Sequence, residues 1–529
     1  MENSKKTLLM ALSIAINCAI QTAAADTILR RGNGVEPKGI DPQISEGTSE
    51  ANIMRDLFEG LLARDRDINL IPGIAEKWDI SADGKTYTFH LRDAKWSDGT
   101  ALTAHDFVYA WQRDVNPATG SKYSFLLYPV KNARALTEGQ SSDFDQLGIK
   151  ALDEHTLQIE LEAGTPYFLE LLSHPTTYPV PKHIVEKHGK NWTRPENIVT
   201  NGAYTLKNWQ PNAQMTLTKS DTYWDKNNVK IDQVIYYPTE DQNTELKRYR
   251  AGELDLTFVI PLDQIKWLRE NLQDELKIGP YLGTYFFGYN LTRPPFKDNP
   301  KLREALTLAI DRDIITGKIT GTGEKPVYGI VPPGIAGYDN YRPAYAGLSQ
   351  QERDERAKQL YAEAGYSKDK PLKVELLYNT SENHKKIAIA ITAMWKKTLG
   401  VEAQLINQEW KVFLNTRQEK TSTEAFRAGW FGDYNDPNTF LELYLSKAGL
   451  NDSGYDSAKF DGLLQQASLE QNPAKRAALL KEAEQELIDS YAIAPIYSYV
   501  SKRLVKPYVK GYSPNIMDQY PSKLFYIEK

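Results

Sequence analysis

Residues 75–113 read AEKWDISADGKTYTFHLRDAKWSDGTALTAHDFVYAWQR and carry the first signal of the fold. Within this stretch, Lys85–Leu91 (KTYTFHL) alternates polar and apolar residues, which is typical of a half-buried β-strand. Two later segments, His155–Leu161 (HTLQIEL) and Gln214–Lys219 (QMTLTK), alternate in the same way. The sequence therefore predicts several strands that each bury one face.

Other segments have the spacing of amphipathic helices with a polar outer face. One is KKIAIAITAMWKKTLG, which begins at Lys385 and has Gly400 as a stop signal. A second is Asn472–Ile488, where Pro473 lies near the helix start. Strands mixed with such helices predict α/β or α+β layers, and no internal repeat of a solenoid is present.

The length of the chain predicts more than one domain. Its 529 residues are 41% hydrophobic and 25% charged, which is globular composition but too much chain for a single core. Loops such as 331–343 (VPPGIAGYDNYRP) are rich in Pro and Gly, yet no long Ser/Gly linker separates two halves. We expect two or three domains joined by short crossovers, with a hinge and a cleft between lobes.

The first residues, MENSKKTLLMALSIAINCAIQTAAAD, have the pattern of a cleaved secretory signal. Lys5 and Lys6 precede an apolar run over 7–20, and small residues at 23–25 predict cleavage after Ala25. A membrane anchor is the alternative, but the run is shorter than the roughly 20 residues that a bilayer requires. Acylation at Cys18 is a further alternative, although small residues do not precede it. We expect a soluble periplasmic protein that begins at Asp26.

Cysteine content and net charge narrow the class of protein. Cys18 is the only cysteine, so the exported chain has no disulfide and is expected to be large enough to fold without one. The formal net charge is −5, which gives no reason to expect nucleic acid or an anionic membrane as a partner.

No spacing of residues predicts a metal or a cofactor. The chain has seven histidines, and the nearest approach to a metal-ligand pair is HIVEKH, where His183 and His188 are one residue too far apart for a zinc hydrolase motif. The Gly-rich segment 321–325 (GTGEK) lacks the P-loop spacing and reads as a surface turn.

The stretch 429–437, GWFGDYNDP, combines a buried strand end with two acids. Trp430 and Phe431 are followed at once by Asp433 and Asp436. Two carboxylates could serve a glycosidase, which needs one on each side of the scissile bond. An Asx turn that closes the strand is the structural alternative.

Aromatic residues are abundant and clustered. There are 31 Tyr and 10 Trp, and the segments 279–290 (GPYLGTYFFGYN) and 494–500 (APIYSYV) read as strands with aromatic faces. Such faces are common at binding surfaces, and ordinary core packing is the alternative.

Several of these stretches together resemble a known family. Residues 75–113 resemble the signature region of the large periplasmic solute-binding proteins that serve peptide and nickel ABC importers. The stretches WTRPENIVTNGAYTLKNW (192–209), LYNTSENHKKIAIA (377–390), NQEWK (407–411) and FRAGWFGDYNDP (426–437) are similar to the oligopeptide-binding and murein-peptide-binding branch. The resemblance extends from about residue 29 to the C-terminal end.

The resemblance implies an α/β fold of the two-lobed periplasmic binding protein type (type II, cluster C), with three domains and a hinged ligand cleft. Carried onto this chain, domain I takes residues 26–58, 182–282 and 501–529. Domain II is an insertion over 59–181, and domain III, the second lobe, takes 283–500.

The implied function is that of a periplasmic receptor in a Gram-negative bacterium. It binds short peptides in extended form, delivers them to an inner-membrane ABC permease, acts as a monomer, and needs neither cofactor nor catalytic residues. One alternative is a murein tripeptide receptor of the same fold. An alternative of another class is a secreted peptide or glycan hydrolase that uses Asp433 and Asp436.

The resemblance also assigns site residues. Asp433 matches the aspartate that pairs with the peptide α-ammonium, and a carboxylate buried when a cleft closes favours a cation beside it. The C-terminal carboxylate is assigned to Arg427, Arg417, His384 and His174. The peptide backbone and pockets are assigned to Glu46, Thr48, Tyr123, Tyr281, Phe286, Trp410, Gly429, Trp430 and Phe431. Gly283 and Phe431 stand at the two positions of a disulfide found in oligopeptide binders.

Overall fold

The computed structural model describes residues 26–335 and 337–528. The predicted signal segment, residues 1–25, lies outside the described residues. Within the described part of the chain, no helix is both long enough and apolar enough to cross a membrane.

The strands are numbered in chain order. They are β1 Ile28–Gly32, β2 Leu62–Arg64, β3 Leu70–Pro72, β4 Ala75–Ile80, β5 Thr86–Leu91, β6 Ala94–Lys95, β7 Ala101–Leu102, β8 Ile149–Ala151, β9 Thr156–Glu160, β10 Tyr204–Gln210, β11 Gln214–Lys219, β12 Gln233–Tyr237, β13 Leu276–Tyr289, β14 Lys325–Pro326, β15 Lys373–Asn379, β16 Glu402–Gln408, β17 Ala425–Phe431, β18 Ile493–Leu504, β19 Val509–Lys510 and β20 Tyr526–Ile527.

The α-helices are numbered in the same way. They are α1 Thr48–Leu57, α2 Ala104–Val115, α3 Ala133–Thr137, α4 Phe168–Leu171, α5 Lys182–His188, α6 Gln242–Arg250, α7 Ile265–Asn271, α8 Pro300–Leu308, α9 Arg312–Ile314, α10 Gln350–Glu363, α11 Glu382–Leu399, α12 Trp410–Glu419, α13 Asn438–Leu441, α14 Ala458–Leu469 and α15 Pro473–Asp489.

The elements predicted from hydrophobic periodicity are confirmed. The three alternating segments form β5, β9 and β11. In β5 every second residue is buried, beginning with the second residue of the strand. Helix α11 is capped at its C-terminal end by Gly400, whose φ of 80° is the left-handed conformation that glycine adopts without strain. Helix α15 begins at Pro473, and the side chain of Asn472 caps its first turn.

Three sheets organise the molecule. A four-stranded sheet has the order β1-β12-β11-β10, and a second has the order β4-β5-β9-β8. The third is six-stranded, with the order β14-β18-β13-β17-β15-β16. It is mixed, because β15 runs parallel to β16 and β17 while β13 runs antiparallel to β17 and β18.

Two long strands connect the six-stranded sheet to the rest of the chain. Strands β13 and β18 pair over 276–280 with 500–504, and again over 284–288 with 493–498. The register shifts between these two halves, so the ladder is interrupted near Pro280. Beyond β18, Val505 bridges to Leu256, which in turn bridges to Arg31 of β1. The interrupted pair of strands is therefore one connection between the β1 sheet and the six-stranded sheet.

The hydrophobic core follows these layers. One large cluster runs through the β1 and β4 sheets and includes the fully buried Trp96, Trp111 and Trp192. A second cluster packs helices α8, α10 and α11 on the six-stranded sheet around the buried Trp395. The three-domain division stays a prediction, and its boundaries at 282/283 and 500/501 fall inside β13 and β18.

Candidate functional site

A cavity of about 320 Å³ lies between helix α1, helix α12 and the ends of strands β17 and β18. Its volume is in the range of pockets that hold small ligands. All of the predicted site residues except Phe286 line it: Asp433, Arg427, Arg417, His384, His174, Glu46, Thr48, Tyr123, Tyr281, Trp410, Gly429, Trp430 and Phe431. A hollow of about 570 Å³ beside α9 and α10 contains none of them.

Phe286 is the predicted site residue that does not line the cavity, and its assignment to a pocket stays a prediction. Successive side chains of a strand point to opposite faces. On β13, Tyr285 approaches the cavity residues Arg427 and His384, whereas Phe286 packs into the core and meets Tyr444 edge-on, with ring centres 6.4 Å apart.

Asp433 lies just beyond the end of β17, and a hydrogen bond of its backbone fixes its position. The backbone N–H of Asp433 donates to Thr439 Oγ1 at 3.0 Å, which fixes the turn after the strand. The side chain is 13% exposed, and its Oδ2 is buried and accepts no hydrogen bond from any described residue. A carboxylate oxygen in that state has capacity for a donor supplied by a ligand.

His174 lies against the same carboxylate. Its Nε2 is 3.4 Å from Asp433 Oδ1, and its Nδ1 accepts the backbone N–H of Thr176 at 3.3 Å. Because Nδ1 accepts this bond, Nε2 is the ring nitrogen that faces Asp433. The ring also packs on Tyr123, with centres 4.7 Å apart. The structure therefore places His174 beside the acid assigned to the ligand's amino end and not with the groups assigned to its carboxylate.

Asp436 is bound within the protein and does not form a free acid pair with Asp433. Arg476 donates to both of its oxygens, at 2.7 and 2.8 Å, and Asn438 N–H donates to Oδ1 at 2.9 Å. The last contact is the Asx turn expected after the strand. Asp436 is consequently a structural residue whose charge is compensated by a bidentate arginine.

Aromatic rings form one wall of the cavity. Phe431 stacks on Tyr281 with ring centres 4.1 Å apart and planes 6° apart, and it meets Tyr499 at 4.6 Å. Phe431 also pairs in register with Gly283, and a Cβ atom on Gly283 would lie 2.4 Å from its Cδ1. The phenyl ring thus fills the space beside Gly283. Trp430 faces the other way, toward Tyr123 at 6.0 Å.

The last residues of β17 have one unpaired edge. Strand β17 pairs with β13 along its whole length, but with β15 only at Ala425 and Phe426. From Arg427 to Phe431 the edge away from β13 has no strand partner among the described residues, and most of these residues line the cavity. This edge can accept an extended chain as an added strand.

Arg427 and His384 form a second polar cluster of the cavity. Arg427 Nη2 donates to Tyr499 Oη at 2.7 Å, Nη1 reaches Asn379 Oδ1 at 3.4 Å, and Nε is buried without an acceptor among the described residues. Burial, reinforced by the neighbouring Arg427 charge, lowers the pKa of His384 well below its usual range, so the ring is neutral. Arg427 and His384 have no carboxylate partner in the described part of the chain.

The remaining predicted residues belong to ion pairs or cross-cavity contacts. Arg417 is in contact with Asp452, with Nε 2.5 Å from Oδ2, so its charge is compensated within the protein. Gln418 donates to both oxygens of Glu46, at 2.7 and 2.9 Å, which joins α12 to the loop before α1. In the part of the chain that the structure describes, no group of three or more His, Cys, Asp or Glu residues is placed to hold a metal.

Tyr499 and Arg55 are among the cavity residues that the sequence analysis did not single out. Tyr499 lies in the aromatic segment 494–500, but its hydroxyl contact to Arg427 depends on the meeting of β17 and β18 in the fold. Arg55 lies on α1 and lines the cavity on the same helix face as Thr48 and Asn52. The seven-residue spacing from Thr48 to Arg55 was available in the sequence as a signal.

Comparisons with known proteins agree with this architecture. The model of the bacterial extracellular solute-binding proteins, family 5, matches residues 69–452, which is more than half of the chain. The chain is 47% identical over 525 residues to the periplasmic oligopeptide-binding protein OppA of Escherichia coli (strain K12), covering 98% of this chain and 96% of that protein.

Two solved structures of one related protein bear on the arrangement of the lobes. The Escherichia coli murein tripeptide-binding protein MppA superimposes with a TM-score of 0.93 at 40% identity, covering 96% of this chain and 99% of that one. The unliganded open form of MppA gives a TM-score of only 0.64 at 40% identity, with 95% and 98% covered. The chain therefore has the two-lobed fold of these proteins, and its lobes are not arranged as in that open form.

Proposed function

The chain belongs to family 5 of the bacterial extracellular solute-binding proteins, and on that premise we propose that it is the substrate-binding component of an ABC importer for short peptides. It takes up peptides in the periplasm of a Gram-negative bacterium and passes them to an inner-membrane permease as a monomer. The ligands for which its relatives are named, oligopeptides and murein tripeptide, support this ligand class. The family consists of binding proteins, which supports a receptor without catalytic residues.

The observation that carries the proposal is the buried, unpaired oxygen of Asp433 in a cavity. A charge that stays buried without its partner costs about 3–5 kcal/mol, so the site favours a ligand that brings a cation. The α-ammonium of a peptide has this charge and three N–H donors. His174 Nε2 lies 3.4 Å from Oδ1, which leaves Oδ2 for that ammonium.

Recognition of the ligand's main chain supports binding of peptides with many different sequences. The unpaired edge of β17 offers backbone N–H and C=O groups, and every peptide has matching groups whatever its side chains. Side chains can then occupy hydrated pockets, where bridging water replaces direct contacts at small cost.

The cluster of Arg427 and His384 is the proposed site for the peptide carboxylate. Arginine binds a carboxylate through two parallel N–H groups, and Arg427 has an unsatisfied Nε beside the Nη groups. Arg417 is a weaker candidate, because Asp452 already compensates its charge. The three-domain division and the closing of the lobes over the ligand are part of the same proposal.

A murein tripeptide receptor remains the second candidate of the same class. Gly283 and Phe431, which pair in register here, stand at the two positions of the disulfide of oligopeptide binders. The sequence resemblance implies that the murein-peptide branch also lacks this disulfide. The hydrolase alternative has less support, because Asp436 is engaged by Arg476 and is not available as a second catalytic acid.

Native mass spectrometry of the purified protein tests the proposal. We expect co-purified peptides of a few residues that remain intact on incubation with the protein. Hydrolysed fragments that accumulate with time would instead support the hydrolase.

Calorimetric titration with trialanine and its N-acetylated form tests the proposed contact itself. Acetylation removes the ammonium charge, so we expect a large loss of affinity. Equal affinity for the two forms would contradict the role of Asp433.

A further inference from the structure

One cationic side chain of the cavity has no partner among the residues that the structure describes. Arg55 lines the cavity, and among the described residues it makes no hydrogen bond, while its Nε is fully buried. No carboxylate oxygen of the described chain lies within the 4.0 Å that defines an ion pair. The side chain is only partly exposed, and that exposure is toward the cavity that it lines.

Helix α1 directs Arg55 to this position. Thr48, Asn52 and Arg55 line the cavity from one face of the helix, as their spacing of four and three residues requires. Ile53 and Leu57, on the opposite face, are buried in the core with 1% and 0% exposure. The guanidinium is therefore held at the cavity by an anchored helix.

The other cations of the cavity differ from Arg55 in having protein partners. Arg417 is paired with Asp452, Arg503 with Asp518, and Lys502 with Glu324. Arg427 donates to Tyr499 and contacts Asn379. Arg55 is thus the cavity cation whose hydrogen-bonding capacity the described protein leaves unused.

The surroundings of Arg55 place it toward the Asp433 part of the cavity. Helix α1 packs against residues 175–177, and the residue before them, His174, has its Nε2 3.4 Å from Asp433 Oδ1. Burial lowers the pKa of Arg55, because its charge is removed from water and nearby groups such as Asp433 offset this only in part.

We infer that Arg55 is an anion subsite that selects ligands with a carboxylate close to the free amino terminus. This inference rests on the proposed function, because it takes the ligand's ammonium to lie at Asp433. Asp433 and Arg55 would then bind a positive and a negative group of the same end of the ligand. Arginine suits this role, since its planar guanidinium binds a carboxylate in a bidentate manner.

Two kinds of ligand supply that chemistry. One is a peptide with an Asp or Glu side chain at its first or second residue. The other is a peptide continued through a γ-linked glutamate, whose α-carboxylate is free beside the main chain. Both present a carboxylate near the amino end, and they differ in the length of the connection.

Calorimetric titration with matched tripeptides tests the inference. The peptides are Glu-Ala-Ala, Ala-Glu-Ala and Ala-Ala-Glu, each compared with its Gln counterpart. We expect the Glu form to bind about 10- to 100-fold more tightly at the first or second position, the range for a hydrogen bond to a charged group, and no such ratio at the third. A second pair, Ala-γGlu-Ala and its α-amide, distinguishes the γ-linked source.

Variants of Arg55 then locate the effect. In Arg55→Gln we expect the Glu/Gln ratio to fall to about one, and in Arg55→Lys an intermediate ratio, because lysine keeps the charge but not the bidentate geometry. Arg194→Gln, which removes an exposed positive charge, is the matched control and should retain the ratio. Thermal unfolding of each variant verifies that the protein is folded.

The outcomes separate this inference from the proposed function. If wild-type protein binds the Glu and Gln forms equally at every position, the anion subsite is wrong while peptide binding stands. If Arg55→Gln weakens both forms equally, Arg55 acts by compensating Asp433, which also overturns the inference. If no peptide of either form binds, the proposed function itself fails.

Discussion

Gln418 donates hydrogen bonds to both carboxylate oxygens of Glu46, at 2.7 and 2.9 Å, although 372 residues separate them in the chain. Gln418 lies on α12, and Glu46 lies in the loop before α1, so the contact crosses one side of the cavity. Lys38 from the same side approaches Glu46 at 3.6 Å and donates to Asn415 on α12. These contacts join two walls of the cavity, which under the proposed function separate when ligand enters.

The Gln418 contact predicts faster ligand release when it is removed. In Gln418→Ala we expect dissociation of bound peptide to accelerate by about tenfold, because a hydrogen bond to a charged group contributes about 1.5–3 kcal/mol. Stopped-flow measurement of release checks this. Gln465→Ala, an exposed residue of α14, is the control and should release ligand at the wild-type rate. Unchanged release in Gln418→Ala would mean that this contact does not stabilise the closed form.

Replacing Asp433 should remove affinity without unfolding the protein. In Asp433→Asn we expect a loss of about 2–5 kcal/mol for a free peptide, because the ammonium then lacks its counter-charge. The loss for an N-acetylated peptide should be close to zero, since that ligand never made the contact. Titration of both peptides into both proteins gives the coupling energy directly.

Asp436→Asn is the matched control for Asp433. It removes the bidentate partner of Arg476 and should lower the thermal stability, because one buried charge loses its partner. Its ratio of affinities for free and acetylated peptide should equal that of the wild type. The same change in ratio for both variants would contradict a specific role of Asp433.

His174 is expected to orient the carboxylate of Asp433. In His174→Phe the ring can still pack on Tyr123, but the Nε2 atom 3.4 Å from Asp433 Oδ1 is lost. We expect affinity for free peptides to fall by about 1 kcal/mol, with little change in melting temperature. Calorimetry and thermal unfolding measure the two quantities. A larger loss of affinity for acetylated than for free peptide would contradict a role of His174 in orienting Asp433.

Arg427 is expected to set the preferred peptide length. In Arg427→Gln the guanidinium is lost beside Tyr499, and peptides whose carboxylate reaches this position should lose the most affinity. Titration of alanine peptides of increasing length, with free and amidated C-termini, identifies that length. Tyr499→Phe removes only the acceptor of Arg427 and should have a smaller effect. An unchanged length profile in Arg427→Gln would argue against this assignment.

Glu50 gives a pH dependence of stability whose sign follows from its environment. Burial raises the pKa of Glu50 from 4.5 to about 7, although the N–H of Lys38 donates to it at 2.7 Å. The folded protein therefore keeps a proton that the unfolded chain has lost between these pH values. The contribution to the free energy of unfolding falls as pH rises through this window, by at most about 3 kcal/mol.

The Glu50→Gln variant isolates that contribution. Glutamine is neutral at every pH, so we expect a smaller loss of melting temperature between pH 5 and pH 7.5 than in the wild type. Some dependence of the melting temperature on pH will remain, because burial also raises the pKa values of Glu245 and Glu484 to about 7. Glu375→Gln, an exposed residue of β15, should keep the full wild-type slope. A Glu50→Gln profile parallel to the wild type would contradict the raised pKa.

The sequence by itself determined the elements and the family. Alternation predicted β5, β9 and β11, and helical spacing with Gly400 and Pro473 predicted α11 and α15, because these signals depend on residues close together in the chain. The strand end at 425–431 and its Asx turn are local in the same sense. The resemblance added the assignments that local patterns could not supply.

Only the tertiary structure decided which charges are compensated. Asp433 and Asp436 are three residues apart and look alike in the sequence, yet Arg476 binds one and His174 approaches the other. Arg417 and Arg55 likewise differ because Asp452 faces one and no acid contacts the other among the described residues. Such partners come from segments far apart in the chain, and whether a charge is free depends on burial and distance, which no local pattern records.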